Sequence, residues 1–145
     1  MPLLIYSPVM SRYSPDEATL LRVADLLSAE EDVVLAIAFG SAVKGHMRPG
    51  SDVDIAILTS PLLNAMRRRD LIALIAEATG RPVDLIDLRT AGVLVTRAAL
   101  GQGRRLVCRD RGALANLLSK TLLDAADFLP YRERILSERR QTWIH

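Results

Sequence analysis

The residues most able to do chemistry fall in one stretch, GSAVKGHMRPGSDVD, residues 40–54. Asp52 and Asp54 lie two apart at the head of a strand-like run, residues 52–58. Strand side chains alternate faces, so both carboxylates point the same way. Two hard oxygen donors side by side suit magnesium, which takes phosphate oxygens to complete its shell. Gly40 and Ser41 follow an apolar run, Val33–Phe39, that reads as a buried strand. A glycine there lets the backbone turn tightly and approach a ligand. Ser41 opens a short helix whose free N–H groups and hydroxyl can hold phosphate oxygens. Together these parts suit the handling of a nucleoside triphosphate. The ordinary alternative is a surface loop with two solvated aspartates capping turns. The strand and helix context of both halves argues against it.

The elements that must position these residues alternate along the chain. Ser14-Pro15-Asp16-Glu17 has the form of a capping box with proline in the first turn, and Leu20, Val23, Ala24 and Leu27 form the buried stripe of a helix ending near Ser28. The strand 33–39, the Gly-Ser turn, a loop over 45–51 and the strand 52–58 come next. Ser60-Pro61 is expected to start a helix that buries Leu71, Leu74, Ile75 and Ala78 and stops at Gly80. The run 83–88 has apolar residues on both faces and reads as an interior strand. A short helix over 91–100, a turn at Gly101 to Gly103 and a last strand, residues 104–108, complete the pattern. Such alternation predicts an α/β (α+β) domain with helices covering a small mixed sheet.

From Ala113 the chain has helical periodicity, with Leu114, Leu117, Leu118, Leu122 and Leu129 available for one face. Pro130 is expected to break or kink this helix before Tyr131, Ile135, Leu136, Trp143 and Ile144. The tail either folds back on the core or docks a partner, since core faces and exposed patches look alike in sequence. The expected organisation is a single domain over 1–145, with a core near 30–110 and a helical segment over 111–145.

With 145 residues and 50% hydrophobic content the chain can bury a moderate core. Charges interrupt every apolar run, so no membrane span is expected. Leu3-Leu4-Ile5 has no basic region ahead of it, which argues against a cleaved signal peptide. The lone Cys108 excludes an internal disulfide and suits a reducing cytoplasm; its expected role is a packed strand residue. Nineteen basic against 17 acidic residues give a net charge of only +2, which does not announce a nucleic-acid binder. Arg67-Arg68-Arg69, Arg104-Arg105 and the arginines of 132–140 read as solvated faces, and few aromatics accompany them to stack bases.

The Gly-Ser pair followed by Asp-x-Asp, each at the end of an apolar strand, resembles the signature of the DNA polymerase beta-like nucleotidyltransferase superfamily. That pattern implies a third carboxylate on a later strand. Asp84 and Asp87 both lie on the 83–88 run and differ in parity, so only one can face the site. Asp84 is the better choice, because Val83 and Leu85 flank it tightly and a charge so placed needs a partner such as a metal. The competing reading of Asp84 is a buried aspartate held by backbone donors. Asp87, nearer the strand end, reads as a solvated or capping residue.

The chain's short length and its Val-Asp-Leu-Ile-Asp-Leu run look like the minimal nucleotidyltransferases, over residues 30 to 110 most closely. Members of that family commonly serve as antitoxins to HEPN ribonuclease toxins, and some transfer AMP from ATP onto a toxin tyrosine. The resemblance implies two magnesium ions held by Asp52, Asp54 and Asp84, ATP phosphates anchored by Gly40 and Ser41, and a cognate HEPN toxin as partner, in a hetero-oligomer with it. It assigns His46 and Met47 no role, and Lys44 reads as a solvated surface residue. Two other functions stay open: nucleotidyl transfer to a small molecule such as an antibiotic, which would use the same catalytic residues, and neutralisation of a partner by contact alone. Three intact carboxylates speak against the last.

Overall fold

A computed structural model describes residues 15–45 and 50–144 of the chain, without the side chains of 15–16, 127–132 and 139–144. The elements are α1 (Pro15–Ser28), β1 (Val33–Phe39), α2 (Ser41–Lys44), β2 (Val53–Thr59), α3 (Ala65–Thr79), β3 (Val83–Asp87), α4 (Val93–Gln102), β4 (Arg104–Cys108) and α5 (Arg111–Ile144). The capping serine expected at Ser14, and His46 and Met47, lie outside the described residues.

β1 is apolar along its whole length because it is paired on both edges and covered on both faces. The sheet order is β3-β2-β1-β4, with β1 antiparallel to β2 and β4, and β2 parallel to β3 through α3. On one face Val53, Ile55, Ile57 and Leu85 meet Leu20, Val23 and Leu27 of α1 and Leu71 and Ile75 of α3. On the other face Leu35, Ile37, Ala56 and Leu58 meet Ala99 of α4 and Leu114 of α5. Residues of β2 with the parity of Ala56 and Leu58 therefore face α4 and α5, and Asp54 is one of them. No helix among the described residues is long and apolar enough to cross a membrane.

Several boundaries differ from the sequence expectation for identifiable reasons. α3 starts at Ala65 rather than at Ser60-Pro61, because Asn64 supplies the cap, its side chain accepting the Arg67 N–H at 2.7 Å. Its end at Gly80, φ 66°, is the left-handed cap expected there. α4 begins at Val93, two residues later than expected. Among the described residues β3 is an edge strand, not an interior one; the apolar residues on both faces of its run reflect helices on both sides of the sheet rather than a second strand partner. α5 continues through Pro130 as one helix, so the expected break is absent. Its leucines divide: Leu114 is buried, with Thr121 and Ala125 on its side of the helix, while Leu118, Leu122 and Leu123 are 38%, 68% and 69% exposed, so the leucines do not form one covered face. The side chains of Phe128, Leu129, Tyr131, Trp143 and Ile144 lie outside the described residues. Cys108 is half-buried on β4 and packs against the cluster around Leu35.

The arginine runs are less solvated than expected. Arg67, in the first turn of α3, grips Asp32 through two nitrogens at 2.8 and 2.7 Å and Glu30 at 2.7 Å. Arg68 donates to the Leu85 carbonyl of β3, and Arg104 pairs with Glu17 of α1. The hydrogen bond from Arg67 holds the Asp32 carboxyl below its usual range, against the opposing effect of burial. A depressed carboxylate adds stability that is present above its unfolded value of 3.8 and is lost as pH falls through the folded one. Arg67→Ala should therefore lower the melting temperature near neutrality and flatten the acid limb of its pH dependence. Thermal melts between pH 7 and 3 would check this, and an unchanged acid limb would contradict it.

Candidate active site

β1 ends beside the first carboxylate. Phe39 pairs with Asp54 across the antiparallel ladder, and Gly40 turns the chain out of the sheet with φ 73° and ψ −146°. That conformation belongs almost entirely to glycine. The space is also taken: a Cβ at Gly40 would lie 2.2 Å from Oδ2 of Asp54 and 3.2 Å from its Cγ. Gly40 is thus the seat of the Asp54 carboxylate as well as a turn. Ser41 follows directly as the first residue of α2, whose single turn closes with the Gly45 N–H donating to the Ser41 carbonyl.

The parallel ladder then sets the second neighbour. Asp54 is in register with Asp84, and Val53 with Val83, so the two aspartates occupy adjacent strands on one face of the sheet. Paired strands lie about 4.8 Å apart, which brings the two carboxylates together in the plane of the sheet. Asp52 has the same parity and lies just ahead of β2, in the open. Asp87 is in register with Ile57 and so belongs to the opposite face. Its Oδ1 accepts the Arg89 N–H at 3.0 Å and its carbonyl accepts those of Thr90 and Ala91 at 3.1 and 2.9 Å. Asp87 is therefore a turn residue, as its position suggested.

Exposure corrects one part of the argument for Asp84. The side chain is exposed on the edge strand, not buried between Val83 and Leu85, so neither burial nor backbone donors explain it. What singles it out is register. Asp54 is the half-buried member, and burial pushes its carboxyl above the ordinary value, with Asp84 and then Asp52 adding to the shift by repulsion. A half-buried carboxylate held above its ordinary value beside two others offers a place for a cation.

Magnesium fits this donor set. Among the described residues no three His, Cys, Asp or Glu side chains close into a ready-made cluster. That is compatible with magnesium, which is commonly held by one or two carboxylates and completed by water and substrate phosphates. Lys44 is exposed, as expected. The sequence reading passed over Arg81, whose Nη1 reaches the Ser51 carbonyl at 3.4 Å, next to Asp52. The available signal was register: continued back from Val53 and Val83, it sets Ser51 opposite Arg81.

A family model described as polymerase beta, nucleotidyltransferase matches residues 22–112. A protein adenylyltransferase MntA of Shewanella oneidensis is 36% identical over 72 residues, 50% of this chain and 52% of that protein. The chain thus spans about half the length of that curated relative. A crystal structure of a toxin–antitoxin with AMP-PNP superposes with a TM-score of 0.71 at 26% identity, covering 83% of this chain and 98% of that one. A tri-AMPylated Shewanella oneidensis HEPN toxin in complex with MNT antitoxin gives 0.67 at 24% identity, covering 86% and 98%, a likeness of fold.

Proposed function

This chain belongs to the polymerase beta nucleotidyltransferase family, and from that premise we propose that it is an antitoxin that transfers AMP from ATP to a hydroxyl of a cognate HEPN ribonuclease toxin. The acceptor is a tyrosine, the two proteins form a hetero-oligomer in the cytoplasm, and binding accompanies modification. The chain acts as one nucleotidyltransferase domain carrying a helical tail. Support for the partner and the donor comes from the MntA relative and from the toxin–antitoxin neighbours, one of them with AMP-PNP. The observation that carries the reading is the alignment of Asp54 with Asp84 beside a glycine that only its lack of a Cβ permits.

In this mechanism Gly40 and Ser41 anchor the β- and γ-phosphates, which orients the α-phosphorus toward the acceptor. Asp52, Asp54 and Asp84 would hold the two magnesium ions. When bound, magnesium supplies positive charge against the triphosphate and the departing pyrophosphate. Asp84 receives the acceptor proton as the hydroxyl oxygen forms its bond to the α-phosphorus and the bond to the β-phosphate oxygen breaks. The protein's contribution is positioning and charge neutralisation, and no covalent enzyme intermediate is needed.

Labelled-ATP transfer onto the co-encoded toxin, with and without magnesium, tests the reading; absence of label on the toxin would refute it. The register adds a sharper expectation. Asp84→Asn should reduce transfer by about 10²-fold or more while ATP binding persists, and Asp87→Asn should leave most activity. If Asp87→Asn were the more damaging, the assignment of the third carboxylate would be wrong.

A further inference from the structure

Asp52 lies outside the ladder that holds its two companions. β2 begins at Val53, whose N–H donates to the Pro82 carbonyl at 2.8 Å, and Asp52 is an exposed residue on the loop side of that bond. Its carboxylate therefore depends on how the preceding peptide is held. We propose that Arg81 is a positioning residue for Asp52: its guanidinium holds the Ser51 carbonyl and thereby fixes the peptide that carries the carboxylate.

Arg81 is itself well placed to do this. Its backbone N–H donates to Thr79 Oγ1 at 3.3 Å, and that hydroxyl donates to the Ile75 carbonyl at 2.8 Å. Gly80, in the left-handed conformation, closes α3 between them. Ile75 and Leu71 are fully buried against the sheet, so a rigid helix end sets where Arg81 starts. The side chain is half-buried along this path, and its Nη1 meets the Ser51 carbonyl at 3.4 Å. That is long for an N–H···O bond. Bonds of this kind often tighten only when the reacting complex forms. Chemistry of the same sort operates where groups behind metal-binding residues orient them, and their loss costs about 10–100-fold in metal affinity or activity.

The inference rests on the magnesium-dependent transfer reading, and the experiment separates the two. ATP binding is measured by calorimetry at a series of magnesium concentrations for wild type, Arg81→Met and Arg81→Lys, with transfer rates alongside. Arg81→Met should raise the magnesium needed for half-maximal ATP binding by about tenfold or more, with metal-free ATP binding unchanged. Arg81→Lys keeps the charge without the planar fork and should recover only part of the loss. A purely structural arginine would lower the melting temperature without moving the magnesium requirement, and that result overturns the proposal. Should Arg81→Met fail to fold, the Lys variant alone decides by the same shift. A wild type that binds ATP with no magnesium dependence would instead remove the parent reading.

Discussion

Asp54→Asn is expected to abolish transfer and, at neutral pH and without ligand, to make the protein more stable. The two effects share one cause. Asp54 is half-buried among Asp84 and Asp52, and burial first, then the two like charges, raise its carboxyl above 3.8. A raised carboxyl means that the folded state binds the proton more tightly than the unfolded chain does. Its contribution is therefore unfavourable once pH exceeds the folded value, and the cost disappears as pH falls toward 3.8. Asparagine removes the charge while keeping nearly the same shape in the Gly40 seat. Melting curves at pH 7 should place Asp54→Asn above wild type, with the gap closing under acid. Adding magnesium and ATP should stabilise wild type clearly more than the variant, since stabilisation by ligand follows its affinity for the folded state. Transfer should fall on the order of 10³-fold, as charge stabilisation is lost where it develops. Retention of more than a tenth of wild-type transfer would sink the assignment of Asp54. A variant both inactive and less stable would instead mean that the carboxylate supports the fold.

How much of this was legible beforehand depends on whether the signal was local. β1 and β4 stand where the sequence placed them, because each is an apolar or β-rich run bounded by sharp punctuation, Gly40 and Gly103 among it. The partition between Asp84 and Asp87 was also legible, since alternation along a strand needs no knowledge of neighbours. The exposure of Asp84 was not, because whether a strand lies at an edge is decided by which strands pair with it. The division of the α5 leucines has the same origin: Leu114 meets the sheet while Leu122 is exposed among the described residues, and both read alike in sequence. The late start of α3 turned on local competition, in which Asn64 made the better cap. Arg67, Arg81 and Arg104 were hardest, for an arginine's partner is often a distant carbonyl or carboxylate.

Gly40→Ala should be strongly damaging, and its cost should depend on Asp54. Two penalties combine at this position. The backbone has φ 73° and ψ −146°, a region essentially reserved for glycine, and strain of this kind costs on the order of 1–3 kcal/mol. The added methyl would also lie 2.2 Å from Asp54 Oδ2, so the carboxylate must leave its seat. Gly45 provides the comparison. It has φ 70° and, among the described residues, nothing within 4 Å of the position a Cβ would take, so Gly45→Ala meets backbone strain rather than a clash with them. Transfer should survive Gly45→Ala and drop by about 10²-fold or more in Gly40→Ala, since small displacements of a reacting group carry penalties of that size. The clash is isolated by a double-mutant cycle with Asp54→Ala. Without Oδ2 and Cγ the methyl would meet Asp54 only at its Cβ, 3.5 Å away, an ordinary van der Waals separation. Gly40→Ala should therefore cost clearly less stability in the Asp54→Ala background than in wild type, as measured by chemical denaturation. Equal costs in both backgrounds would mean that the backbone alone requires the glycine, and that Gly40 does not serve as the seat of the Asp54 carboxylate.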